Sequence, residues 1–295
     1  MNRDCGLTAI EARNVGFAYP GGIEALADVS FHAMEGELVA VMGANGSGKT
    51  TLLKILMRLL HPQHGEVRLG PADVRHMAAA ELYSRVGMVF QNPADQLFGA
   101  SVEEDVAFGP RNLGLSEAEV AQRVTHALEA VNAADLRSRP IHRLSYGQQK
   151  RVCLAGVLAM QPAVLLLDEP TAGLDPCGES QMIDLLMGLR RRQKTTLIVA
   201  THCVDLLPVR ADRIYVLSRG HVWQEGSPHK VFADPDHVAE AGLRSPLVSQ
   251  LVQELRRHRR LGLDSLPLTV AEARQEILRW LAGDPTTCLE EGELA

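Results

Sequence analysis

The chain has 295 residues, 46% of them hydrophobic and 22% charged, enough to bury one large α/β domain and a small appendage without disulfide staples. Lys and Arg number 30 against 36 Asp and Glu, and the resulting net charge of −6 speaks against a general nucleic-acid-binding surface. Collagenous, coiled-coil and disordered classes are excluded by composition.

Alternating apolar and polar residues predict a strand from Ile10 to Tyr19, a Pro20-Gly21-Gly22 turn, and further strands at Ala27 to Phe31 and Glu37 to Met42. A helix follows from Lys49 to Leu60, then strands at Glu66 to Leu69 and Val86 to Phe90, then helical text from Ser101 to Asn132. Within that text Ser116-Glu117-Ala118-Glu119 reads as a capping box. A helix after Ser145 to Met160, a strand Val164 to Leu167, a helix near Gly178 to Arg192 and a strand Thr196 to Ala200 complete a βα alternation, which implies a parallel sheet. Arg213 to Leu217 and His221 to Glu225 form a hairpin about Ser218-Arg219-Gly220.

Near Pro235 the composition changes. Two helices are expected beyond it, Ser245 to Arg257 and Thr269 to Leu281, with apolar faces at Leu247, Leu251 and Leu255 and at Ile277 and Leu281. The cluster Arg256, Arg257, Arg259 and Arg260 reads as a solvated helix end or as a membrane-surface or partner patch. The cysteines, Cys5, Cys153, Cys177, Cys203 and Cys288, form no C-x-x-C pair and suit a reducing compartment. No apolar run approaches the roughly 20 residues of a membrane span, and the first 25 residues lack a signal peptide's apolar stretch.

Three segments carry chemistry. Gly43-Ala44-Asn45-Gly46-Ser47-Gly48-Lys49-Thr50, followed by Thr51, lies between a predicted strand and a predicted helix, the setting of a phosphate-binding loop. Its glycines let backbone N–H groups form a nest, Lys49 reaches the β and γ phosphates, and Thr50 offers a hydroxyl to Mg²⁺. Val164 to Leu167 ends in Asp168-Glu169, where Asp168 would hold Mg²⁺ and Glu169 would act as general base on water. Leu144-Ser145-Tyr146-Gly147-Gln148-Gln149 opens a helix whose start suits a phosphate. His61-x-x-His64 has ligand-like spacing but no acidic or cysteine companion, so a metal site there is disfavoured.

The Leu144 to Gln149 segment resembles the LSGGQ signature of ATP-binding-cassette (ABC) ATPases, with Tyr146 in place of the first glycine. The resemblance implies that Ser145, Gly147 and Gln148 act in trans on ATP held by a second cassette. It also implies roles for Tyr19 (stacking on adenine), Gln91 (contact with Mg²⁺ and the membrane partner), Asp175 in Gly173-Leu174-Asp175 (dimer loop) and His202 (γ-phosphate contact). Singly, Tyr19 reads as a strand aromatic and His202 as a loop histidine. The implied fold is a P-loop ABC α/β domain over 1–234, with a parallel-sheet core, an antiparallel β subdomain and a helical signature subdomain at about 92–160. A C-terminal helical extension over 235–295 is expected to stabilise a dimer.

Val89-Phe90-Gln91-Asn92-Pro93-Ala94-Asp95-Gln96-Leu97-Phe98, with Ser101 to Pro110 after it, is similar to the ATPases of energy-coupling-factor importers, closest to cobalt and nickel systems. Cys203 stands where many relatives carry an acid. The resemblance implies an ATP-hydrolysing subunit, using ATP and Mg²⁺, peripheral on the cytoplasmic face of the cell membrane. Its implied partners are a second ABC ATPase subunit, identical or paralogous, and integral membrane scaffold and substrate-binding subunits, with no nucleic acid. Gln91 and Gln96-Leu97-Phe98 would lie where the membrane partner docks, although Leu97 and Phe98 also read as core. Cobalt, nickel and a vitamin stay open as cargo. A soluble cassette acting on nucleic acid or ribosomes is disfavoured, since no heptads fall between Lys49 and Ser145 and the chain holds one cassette.

Overall fold

Residues 7–259 and 266–283 are described in the computed structural model, the stretches 256–259 and 280–283 by their backbone alone. The opening strands are longer than the alternation predicts: β1 (Thr8–Tyr19) and β2 (Ile23–Met34) pair antiparallel across the Pro20-Gly21-Gly22 turn. β3 (Leu38–Met42) leaves them for a second sheet, while β4 (His64–Leu69) and β5 (Ala72–Asp73) return to give the antiparallel order β2-β1-β4-β5.

In the second sheet, β6 (Val86–Val89), β7 (Val164–Asp168), β8 (Thr196–Thr201), β3 and β9 (Arg213–Ser218) run parallel, and β10 (His221–Gly226) closes one edge as the expected hairpin. Every residue of β3, β7 and β8 is buried, as a parallel sheet covered on both faces requires. The pleat sends alternate side chains to two cores. Val39, Val41, Val164 and Leu166 join one with α1 (Lys49–Leu56) and the inner residues Ile10, Val15, Leu26 and Val29 of the antiparallel sheet. Leu38, Ala40, Met42, Leu165 and Leu167 face the other. There they meet the helices α3 (Val102–Asn112), α4 (Glu117–Ala130), α5 (Tyr146–Leu158) and α6 (Pro176–Gln193).

Several boundaries differ from the expectation. The first helix ends at Leu56 rather than Leu60: Arg58 takes a left-handed backbone, φ 57°, and its guanidinium donates to the carbonyls of Val74 and Met77 at 2.6 and 2.7 Å. The text from Ser101 to Asn132 is two helices, because Gly114 follows α3 at φ 76° and ends it as a left-handed cap. Ser116 then starts α4 with the predicted capping box. A short helix, α2 (Ala79–Arg85), precedes β6 and has too few residues for a helical period to stand out. His64 sets its Nε2 3.3 Å from Asp28 Oδ1 and its ring against Gly16.

After β10 come α7 (Pro228–Val231), α8 (Pro235–Glu240), α9 (Leu247–Arg259) and α10 (Val270–Gly283). Val238, Ala241, Leu243 and Leu268 pack into the larger core. Asp205, three residues after His202, accepts from the Leu247 N–H at 2.8 Å and pairs with Arg244, which seats the start of α9. Val252, Leu266 and Ala273 join α9 to α10 in a small cluster, whereas Leu247 and Leu251 stand 61% and 59% exposed. The side chains of Arg256, Arg257, Arg259 and Arg260 and of Leu281 lie outside the described residues.

Candidate nucleotide site

The phosphate loop sits where β3 hands over to α1. Gly43 is obligatory by space, since a Cβ there would lie 2.3 Å from Ser47 Oγ and 2.4 Å from the Leu217 carbonyl. Gly48 caps α1 at φ 105°, a conformation that L side chains rarely adopt. Lys49 Nζ donates to the carbonyls of Gly43 and Ala44 at 2.9 and 3.1 Å, and the Ser47 N–H reaches the Ala44 carbonyl. Burial pulls the Lys49 amine below the ordinary lysine value, against the opposing attraction of Glu169 and Asp168.

A cleft of about 520 Å³ opens over this loop, lined by Asn45 to Thr51, Tyr19, Gln91, Asp168, Glu169 and His202. Ile23, Glu24 and Ala25 line it too, a contribution the sequence reading missed because it comes from the register of β2. Tyr19 stands at its mouth, edge-on to Phe17, with its hydroxyl 3.1 Å from Thr51 Oγ1. Thr50 Oγ1 donates to Asp168 Oδ2 at 2.8 Å. Burial is the main cause of a raised Asp168 pKa, with the Thr50 bond opposing it. Asp168 Oδ1 and Ser47 Oγ are buried with no hydrogen-bond partner, so two polar atoms in the cleft wall await one.

Glu169 is 6% exposed and left-handed, φ 46°. Its Oε1 accepts from the His202 N–H at 3.0 Å and lies 2.7 Å from His202 Nδ1, while Thr201 Oγ1 donates to its Oε2 at 3.2 Å. His202 therefore meets the carboxylate rather than standing apart from it. The only sequence sign of Thr201 was its place at the strand end before His202. Cys203 leaves its thiol out of this network and donates its N–H to Thr201 Oγ1 at 3.0 Å.

The signature segment lies elsewhere. Ser145 and Gln148 satisfy each other at the start of α5: Ser145 Oγ accepts from the Gln148 N–H, and Gln148 Oε1 accepts from the Ser145 N–H at 3.0 Å. Neither they nor Gly147 line the cleft. Gly147 instead adjoins Leu174, and Asp175 caps α6 by accepting from the Gly178 N–H at 2.6 Å. Tyr146 needs no left-handed backbone as the first residue of α5, and its hydroxyl approaches the Gln91 carbonyl at 3.4 Å. Gln96 ties the Gln91 region to α5, accepting from the Phe90 N–H and donating to the Cys153 carbonyl, both at 3.0 Å. An apolar groove of about 480 Å³ runs beside it, lined by Met57, Leu59, Phe98, Phe108 and Met160. Leu97 is half-buried against the core, but Phe98 is 65% exposed, which overturns its reading as a core residue.

Residues 26–172 match the ABC transporter family. The cobalt import ATP-binding protein CbiO of Rhodobacter capsulatus is 46% identical over 274 residues, 92% of this chain and 98% of the relative. The energy-coupling factor transporter ATP-binding protein EcfA of Methanococcus maripaludis is 42% identical over 280 residues, 94% of this chain and 100% of the relative. Among solved structures, CbiO1 of Clostridium perfringens, part of the ABC transporter complex CbiONQ, is 37% identical with a TM-score of 0.72, covering 84% of this chain and 99% of that one. With a phosphate loop, strand-end carboxylates and this likeness over its length, the chain belongs to the ABC transporter family and is an ATPase coupled to transport. Within that family it is an ATP-binding subunit of the energy-coupling-factor type, similar to relatives named for cobalt import. No helix among the described residues is long and apolar enough to cross a membrane.

Proposed function

We propose that the chain energises uptake of a transition-metal ion, cobalt or nickel, by closing on a second cassette at the cytoplasmic face of a membrane scaffold. The observation that carries this is a site split in two: phosphate loop and carboxylates share one cleft, while Ser145, Gly147 and Gln148 stay out of it. A second cassette turned head-to-tail brings its own Ser145 helix start to the γ-phosphate, where hydroxyl and N–H groups offset charge. The name of the Rhodobacter relative supports the metal cargo.

Mg²⁺ fits the site, because the unpartnered Asp168 Oδ1 and the Thr50 hydroxyl are hard oxygen donors side by side. It would be held by Thr50, Asp168 and Gln91, and it would supply charge neutralisation on the phosphates. The loop N–H groups and Lys49 bind the phosphate oxygens, and Tyr19 offers its ring to adenine. Glu169 takes the proton of the attacking water as its oxygen bonds to the γ-phosphorus and the bond to the β-phosphate bridge breaks. His202 holds the carboxylate in place. The groove beside Phe98 and Phe108 receives the membrane partner, and the exposed leucines of α9 pair with the second cassette.

Mixing Lys49→Ala and Ser145→Arg chains tests the arrangement, since one mixed dimer keeps one intact composite site. Activity that neither chain has alone is expected. Heterodimers that form without any recovery refute the head-to-tail pairing. Uptake of Co²⁺ and Ni²⁺ into vesicles carrying the membrane subunits, driven by the parent chain and lost with Glu169→Gln, tests the cargo.

A further inference from the structure

Lys150 is buried to 1% exposure in α5, one turn after Tyr146, and its Nζ donates to the main-chain carbonyl of Glu169 at 2.8 Å. The Tyr146 ring covers the amine, with Nζ 5.6 Å from the ring centroid. Burial is the chief cause of a lowered Lys150 pKa. A side chain that served only to fill this space would be apolar, because a buried ammonium is costly unless it is bonded to something that needs it. What it is bonded to is the one carbonyl whose residue carries the proposed base. Glu169 sits at φ 46°, its N–H donates to the Ala200 carbonyl at 2.9 Å, and its carbonyl also accepts from the Ala172 N–H at 3.1 Å. Those bonds fix the peptide planes on both sides of a sparsely populated backbone conformation. That conformation turns the carboxylate towards His202 and Thr201.

We propose that Lys150 is a positioning residue for the base: its ammonium clamps the Glu169 carbonyl, and with it the left-handed turn that aims the carboxylate. The bond also ties the helix that begins with Ser145 to the base of the same chain, so a shift of α5 is felt at Glu169. Since this rests on Glu169 being the base, the test includes a background in which the base is already gone.

In purified full-length chain, Lys150→Met keeps the length and removes the donor, while Lys150→Gln removes the charge and keeps a donor. The methionine variant is expected to lower kcat about tenfold with KM for ATP within about twofold, and the glutamine variant to recover most of that loss. In single-turnover assays on a Glu169→Gln background, Lys150→Met is expected to change the residual rate by less than about twofold. A methionine variant with the parent's kcat overturns the proposal, as does an equal loss in both backgrounds. If the methionine variant does not fold, the glutamine variant decides: kcat within about threefold of the parent supports the clamp, and a tenfold loss despite its amide donor overturns it. A Glu169→Gln chain that turns over normally instead removes the base assignment itself, a result independent of what Lys150 does.

Discussion

The β3–β7–β8 edge and the start of α5 are the two halves of the proposed composite site, yet they differ in how they are held. At the sheet edge, Thr50 bonds to Asp168, and Thr201 and His202 bond to Glu169, all within the chain. At the helix start, the side chains of Ser145 and Gln148 cap each other's backbone N–H, and Tyr146 is 40% exposed. A preorganised carboxylate network needs no partner to hold its shape, and in the proposed pairing the capped helix start offers its remaining N–H groups to a phosphate held by the second cassette. On the proposed head-to-tail pairing, the difference teaches where control would reside: the chain builds the chemical half of the site itself and leaves the trigger to association.

Four experiments break or sharpen that contrast. The largest effect belongs to the self-sufficient half: Glu169→Gln keeps the shape but not the base, so turnover is expected to fall at least about 10²-fold while ATP still binds, read by steady-state hydrolysis and a nucleotide-binding assay. On the dependent half, Phe98→Asp at the 65% exposed groove position should cut recovery of the membrane subunits by about tenfold in co-purification, with basal hydrolysis within twofold. Charging α9 with Leu247→Glu and Leu251→Glu, both largely exposed, should weaken the ATP-free dimer about tenfold or more in sedimentation without lowering the melting temperature. Smallest is Asp175→Ala, which removes the cap that accepts from Gly178 and should cost about 1 kcal/mol of stability in denaturant unfolding.

Much of the sheet edge was legible in sequence because its parts are local. The phosphate loop is one run of eight residues between a strand and a helix, and Asp168-Glu169 ends an all-apolar strand. Features set by packing between distant segments were not. Nothing around Lys150 in sequence marks a bond to residue 169, and nothing in Gln96-Leu97-Phe98 tells which of the apolar pair turns out. Val238 and Leu243, likewise, read in sequence as helix residues with no sign that they join the larger core. Within Ser101 to Asn132 the start of α4 was legible in its capping box, whereas the end of α3 rests on Gly114, which helical periodicity averages away.

The Gln96 amide carries one more consequence. Its oxygen holds the Phe90 peptide N–H while its nitrogen holds the Cys153 carbonyl on α5. The Phe90 amide hydrogen exchanges with deuterium only while that bridge is open. Its protection factor therefore reports the equilibrium for releasing the Phe90 end of the bridge to the signature helix, and a Gln96→Ala chain supplies the unprotected reference rate at the same position.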